Sequence, residues 1–200
     1  MTSCSSLLVG LIPSCACGYV GAGVIHGNTI NGSTLGGIIV TPELSWGEAD
    51  FVRNLTITSN SILNVGYAKV SYGAIALGAT AFVSHQRVFD SGYGHRSVVI
   101  ANNSVSDIDT WGLWISSSNG VTLRGNRFER VWQRPSWADP WSPFPVPLNT
   151  VVFMTDATAI EAEDNCIVDV GRYATTLVKV TSTANVSSGS QSIASWDACS

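Results

Sequence analysis

"GVTLRGNRFERV", Gly120 to Val131, sets apolar residues at Val121, Leu123, Phe128 and Val131 around a lone Asn126, with Gly125 just before it. A single Asn inside a short apolar alternation is unusual for an ordinary strand, and the same device recurs along the chain. Five segments align on it: "GVIHGNTINGS" from Gly23, "LTITSNSILNV" from Leu55, "VVIANNSVSDI" from Val98, "VTLRGNRFERV" from Val121 and "IEAEDNCIVDV" from Ile160. Their shared column is Asn28, Asn60, Asn103, Asn126 and Asn165. Three residues earlier stand Ile25, Ile57, Ile100, Leu123 and, as the exception, Ala162; two residues later stand Ile30, Ile62, Val105, Phe128 and Ile167. Five residues after the Asn, Val65, Ile108, Val131 and Val170 add a further apolar column.

A second kind of short strand follows each unit: "GGIIV" at Gly36, "GAIAL" at Gly73, "GLWI" at Gly112, "TVVFM" at Thr150 and "ATTLVKV" at Ala174. The shortest interval between column residues, Asn103 to Asn126, is 23 residues, and the others are 32, 43 and 39. A unit of this size, with three short strands and no helix, cannot close a core alone, whereas stacked copies can. The expected fold is therefore all-β: a right-handed parallel β-helix of about five coils with loop insertions, its Asn residues stacked at about 4.8 Å. A two-sheet β-sandwich shares the strand spacing but gives no reason for a fixed Asn column. One domain over residues 1–200 is expected, with the repeats in about 18–180 and irregular segments at 1–17 and 181–200.

The composition agrees: 45% of the 200 residues are hydrophobic and only 12% charged, enough to bury a core. The net charge of -4 and the scattered basic residues argue against nucleic acid or an anionic membrane as partner. No apolar run reaches the roughly 18 to 20 residues of a membrane span, and "LLVGLIP" at Leu7 has no preceding basic residue and is broken at Pro13, unlike a secretory signal. Cys4, Cys15, Cys17, Cys166 and Cys199 show no zinc-site spacing, and their odd number leaves at least one free or intermolecular thiol. N-x-[ST] sequons begin at Asn31, Asn54, Asn102 and Asn185, which together with the cysteines suits a secreted, glycosylated monomer.

Function is expected in the long turns, because loops on a rigid solenoid carry binding and catalysis. "TPELSWGEADF" places Glu43, Glu48 and Asp50 around Trp46. Paired carboxylates beside an indole suit glycoside hydrolysis: one acid protonates the leaving oxygen, the other carboxylate attacks or activates water, and the aromatic ring packs on the sugar. A solvated acidic turn is the plain alternative. Asp156 in "MTDAT" joins this catalytic set, while Asp107 and Asp109 in "SDIDTWG" complete the carboxylates near the same face, although Asp also caps turns. His85, Arg87 and His95 in the turn Gly78 to Arg96, with Trp111 and Trp114, form a candidate substrate-binding set; loop histidines also serve simply as backbone hydrogen-bond partners. "WQRPSWADPWSPFPVPLN" reads as a stiff aromatic flap that closes a groove or shields Trp114 and Phe153. No cofactor, metal or nucleophile motif is present.

With these repeats, and with "STLGGIIVTPELSWGEADFVRNLTITSNSI" and "VTLRGNRF", the sequence resembles the pectate-lyase-like superfamily of right-handed β-helices. The Trp46-Gly47-Glu48 turn looks most like glycoside hydrolase family 110, the α-1,3-galactosidases and their relatives. The resemblance implies a glycoside hydrolase acting on a poly- or oligosaccharide, with galactose among the implied sugars, and a chain corresponding to the C-terminal part of a longer domain. A non-catalytic polysaccharide-binding or surface scaffold is the alternative function. A polysaccharide lyase is a third, disfavoured by the scarcity of basic residues on the first strands.

Overall fold

The computed structural model describes residues 7–8, 21–42, 51–67, 72–83, 86–89, 94–134, 149–181, 186–188 and 196. Every regular element among them is a β-strand. One sheet runs in the order β1 (Leu7–Leu8), β4 (Gly36–Val40), β7 (Gly73–Leu77), β12 (Leu113–Ile115), β15 (Thr150–Met154) and β18 (Thr176–Val180). A second contains β2 (Gly23–His26), β5 (Leu55–Thr58), β10 (His95–Ala101), β13 (Ser118–Arg124), β16 (Ala157–Glu163) and β19 (Val186–Ser188). The third contains β3 (Thr29–Asn31), β6 (Ser61–Leu63), β11 (Ser104–Ile108), β14 (Arg127–Val131) and β17 (Cys166–Val168). All pairings in these three sheets are parallel, and the chain visits first, second and third sheet in turn before stepping one strand along. This is the arrangement of a parallel β-helix, and it sets aside the antiparallel sandwich.

The aligned apolar columns explain why the chain winds this way. Ile25, Ile57, Ile100, Leu123 and Ala162 lie in register on the second sheet, and Ile30, Ile62, Val105, Phe128 and Ile167 on the third; all ten are buried. Each buried large side chain contributes roughly 1.5–3 kcal/mol relative to exposure, so a whole column strongly selects one register. A slip of one residue would turn it to solvent. Val65, Ile108 and Val131 are buried as well, but Val170 is 39% exposed, so that column ends before the last Asn rung.

Between the second and third sheets the corner is a single left-handed residue followed by the column Asn. Gly27, Ser59, Asn102, Gly125 and Asp164 occupy that corner with φ between 53° and 67°. Gly, Asn and Asp adopt this conformation at low cost, which is why they dominate the position. The three inner column residues, Asn60, Asn103 and Asn126, then each tie three rungs together. Asn126 donates its backbone N and Nδ2 to Asn165 Oδ1 at 3.1 and 2.8 Å, and its second Nδ2 hydrogen goes to Ile100 O at 2.7 Å. Its own Oδ1 accepts the backbone N and Nδ2 of Asn103 at 3.1 and 2.9 Å. The same pattern links Asn28 to Asn60 and Asn60 to Asn103.

Two local features depart from the sequence expectation. The second-sheet strand of the Gly120 unit begins at Ser118 rather than Val121, and Gly120 (φ 75°) lies inside it. Its counterparts Asn54, Ser97 and Ala159 share the positive φ, so the left-handed kink recurs at this position even in rungs that carry no glycine there. The Gly78 to Arg96 turn also contains two strands, β8 (Thr80–Val83) and β9 (Gln86–Phe89), paired antiparallel as a hairpin beside the solenoid.

The four central strands of the first sheet are covered on both faces, whereas β18 is only partly buried. Every residue of β4, β7, β12 and β15 is buried, including Trp114 and Phe153. Close packing at the strand openings explains their glycines: a methyl on Gly37 would lie 2.7 Å from Ile62 Cγ2, and one on Gly112 would lie 2.7 Å from Phe128 Cδ1.

Candidate functional site

The turn that leaves the third sheet carries its own column. Gly32, Asn64 and Asp169 directly follow β3, β6 and β17, Asp107 and Arg130 hold the same aligned position within the ends of β11 and β14, and all five have φ between 48° and 79°. Stacking at about 4.8 Å places their side chains side by side although they are far apart in sequence. Arg130 Nε reaches Asp107 Oδ1 at 2.6 Å and Nη2 reaches Oδ2 at 2.8 Å, a bidentate pair, while Nη1 meets Glu129. Asn64 Nδ2 donates to Asn31 Oδ1 at 3.0 Å, and the Tyr67 hydroxyl donates to Gly32 O at 2.6 Å.

These turns enclose a cleft of ≈ 480 Å³ lined by Asn64, Tyr67, Asp107, Asp109, Gln133 and Arg134. Ile108, fully buried, separates the two carboxylates. With two chain steps between them, Asp107 and Asp109 have Cα atoms at most about 7 Å apart. Their environments differ in sign. Hydrogen bonds from Arg130, with its charge in support, hold the Asp107 carboxyl below its ordinary value despite some burial. Burial pushes the Asp109 carboxyl up, and the Arg134 guanidinium 3.3 Å away only partly offsets this. Divergent carboxylates in one cleft are the usual physical basis for dividing acid and base roles.

The same shifts predict opposite pH effects on stability. Asp107, depressed when folded, adds stability that is present above its ordinary value of 3.8 and is lost as pH falls through the lower folded value. Asp109, raised when folded, favours the fold while protonated and withdraws that contribution as pH rises from 3.8 through its folded value. Asp107→Asn should therefore flatten the acid loss of stability, and Asp109→Asn should remove the decline on the other side. Urea midpoints measured from pH 3 to 7 test this, and parallel profiles for the two variants would contradict it. The Asp107 effect should be small, because 41% of its side chain meets solvent and surface pairs are screened.

Only part of the residue set expected from sequence falls among the described residues. Glu43, Trp46, Glu48, Asp50 and His85 lie outside the described residues, and the Arg87 side chain is likewise undescribed although its backbone belongs to β9. The flap beyond Arg134 is also outside them until Asn149. Asp156 sits at the corner between β15 and β16 with φ 45°, accepting a hydrogen bond from Thr155 Oγ1 at 2.9 Å. His95 opens β10 at the same corner, two rungs along, since it aligns with Ser118 and Ala157. It is fully buried; its Nδ1 accepts the Val52 N–H at 3.1 Å and its ring meets Phe51 edge to face at 5.2 Å.

Trp111 and Trp114, expected as a ligand platform, are buried. Trp111 packs edge to face on Trp132 at 5.5 Å, and Trp132 Nε1 donates to Thr150 O at 2.8 Å. Trp114 is fully enclosed and donates Nε1 to Tyr72 O. Among the described residues no group of three or more His, Cys, Asp or Glu could hold a metal ion, and no helix is long and apolar enough to cross a membrane. The chain matches no family model, no curated protein and no solved structure.

Proposed function

We propose that this chain is a carbohydrate-active, right-handed parallel β-helix whose Asp107–Asp109 cleft engages a poly- or oligosaccharide. Handedness follows from the general rule that crossovers between parallel strands of one sheet are almost always right-handed. The observation that carries the functional reading is the pair of carboxylates pushed in opposite directions within one polar cleft. The Asn64 and Gln133 amides and the Arg134 guanidinium suit a ligand rich in hydroxyls, and the half-exposed Tyr67 ring supplies an apolar surface for a pyranose face.

In a hydrolytic reaction, Asp109 is the general acid: burial keeps its proton to higher pH, ready for the glycosidic oxygen as the bond to C1 breaks. Asp107, held ionised by Arg130, stabilises the positive charge that develops on the sugar ring. Reducing-sugar release from neutral oligosaccharides tests this. Asp109→Asn should lower kcat by about 10²-fold or more while KM changes little. Hydrolysis that survives Asp109→Asn but is lost in Glu48→Gln or Asp50→Asn would move the chemistry to the Glu43 to Asp50 turn.

A second reading, glycan binding without hydrolysis, is favoured by the bidentate grip of Arg130, which occupies both Asp107 oxygens and weakens them as nucleophile or base. Oligosaccharide binding that Asp107→Asn and Tyr67→Ala weaken, with no reducing-sugar release by the unaltered chain, selects this reading.

A further inference from the structure

Cys166, the first residue of β17, is disulfide-bonded. We infer that its partner is Cys199, so that the end of the solenoid is closed by a covalent clasp between the last third-sheet strand and the C-terminal segment. The other cysteines are Cys4, Cys15, Cys17 and Cys199. Trp196 lies directly on β17: its carbonyl oxygen accepts the Ile167 N–H at 2.5 Å, and its indole is 1% exposed in the core. It thus lies on the free edge of the third sheet, next to the residue that follows Cys166. Cys199 is three residues further on, at most about 10 Å away by chain reach, and a disulfide needs Cα atoms about 5.5–6 Å apart.

The remaining cysteines start at the opposite end. Cys4 is three residues from β1, and the first sheet puts β1 four strands from β15, which belongs to the same turn of the chain as Cys166. Four strand spacings are about 19 Å, beyond the roughly 10 Å reach of three residues plus a disulfide span. Cys15 and Cys17 precede Gly21, beside β2, and the chain would have to run almost fully extended along four rungs and return to its own rung to meet Cys166.

Formation of the bond removes two electrons and two protons from the Cys166 and Cys199 thiols. The acceptor is a protein or small-molecule disulfide, itself reduced to two thiols by exchange through a mixed disulfide. Such a bond persists in an oxidising compartment, so the clasp assigns the folded chain to the secretory or extracellular side of the cell.

Trypsin separates the possibilities, because Cys166 falls in peptide 131–172, Cys199 in 180–200, and Cys4, Cys15 and Cys17 together in 1–53. The full chain is alkylated without reduction, digested and weighed by mass spectrometry. A cross-linked species of 131–172 with 180–200 that disappears on reduction is expected. A cross-link of 131–172 to 1–53, or an alkylated Cys166, overturns the assignment. Cys199→Ser should in addition expose Cys166 to alkylation, whereas Cys17→Ser should leave it protected; the unaltered chain decides the matter alone if Cys199→Ser does not fold.

Discussion

Asn126→Ala is expected to lower the unfolding free energy by about 4 kcal/mol, since orphaning a buried hydrogen-bonding group costs about 1–3 kcal/mol and two donors are orphaned together. Those donors are the backbone N and the Nδ2 of Asn103, both of which use Asn126 Oδ1. Ile100 O loses a donor as well, and Asn165 Oδ1 keeps only the backbone N of residue 126. No water can replace these partners without entering a site where Asn126 is 1% exposed. Against a typical net stability of about 5–15 kcal/mol, the loss is a large fraction of the total. Asn28→Ala is the internal control, because Asn28 is exposed and its removal costs Asn60 one hydrogen bond of about 1 kcal/mol. Denaturant unfolding of both variants measures the difference; equal losses would show that the column does not hold the rungs together.

Trp114→Ala is expected to cost a further large amount, about 3–5 kcal/mol, because the indole is fully buried and the protein interior collapses only partly around so large a void. The ring lies against neighbours that leave no spare room: a methyl on Gly78 would stand 2.5 Å from Trp114 Cζ3, and one on Gly73 would stand 3.3 Å from Cδ1. Trp114→Phe should restore much of this while still losing the bond from Nε1 to Tyr72 O. The ordering Ala, then Phe, then the native residue in unfolding midpoint is the expected result. A Trp114→Ala chain as stable as the native one but deficient in oligosaccharide binding would return this indole to the ligand platform suggested by the sequence.

The Asn column was legible because a β-helix repeats its environment: each Asn meets the same corner, so the residue type recurs at one place despite intervals from 23 to 43 residues. Apolar columns were legible for the same reason. The left-handed positions were not, since Ser97, Arg130, Trp132 and Ala159 adopt positive φ without belonging to the residue types that favour it. The hairpin of β8 and β9 was masked by the mixed polar composition of its turn, although "TAFV" and "QRVF" carry the β-branched and aromatic residues of strands. Asp107 and Asp109 were visible as carboxylates. Their meeting with Asn64 and Tyr67 was not, because it depends on rung stacking across 43 residues of chain between Asn64 and Asp107. His95 shows a different limit: its residue type allowed either ligand chemistry or a backbone hydrogen bond, and only the fold shows it buried beside Phe51 and accepting the Val52 N–H.

The amides of the column all donate in one direction, from Asn28 toward Asn165. Their dipoles therefore add head to tail, and the row has two chemically different poles. At Asn28 both Nδ2 hydrogens are engaged, with Asn60 Oδ1 and His26 O, so the side-chain oxygen is what that pole presents. A neighbour placed against it must bring a donor.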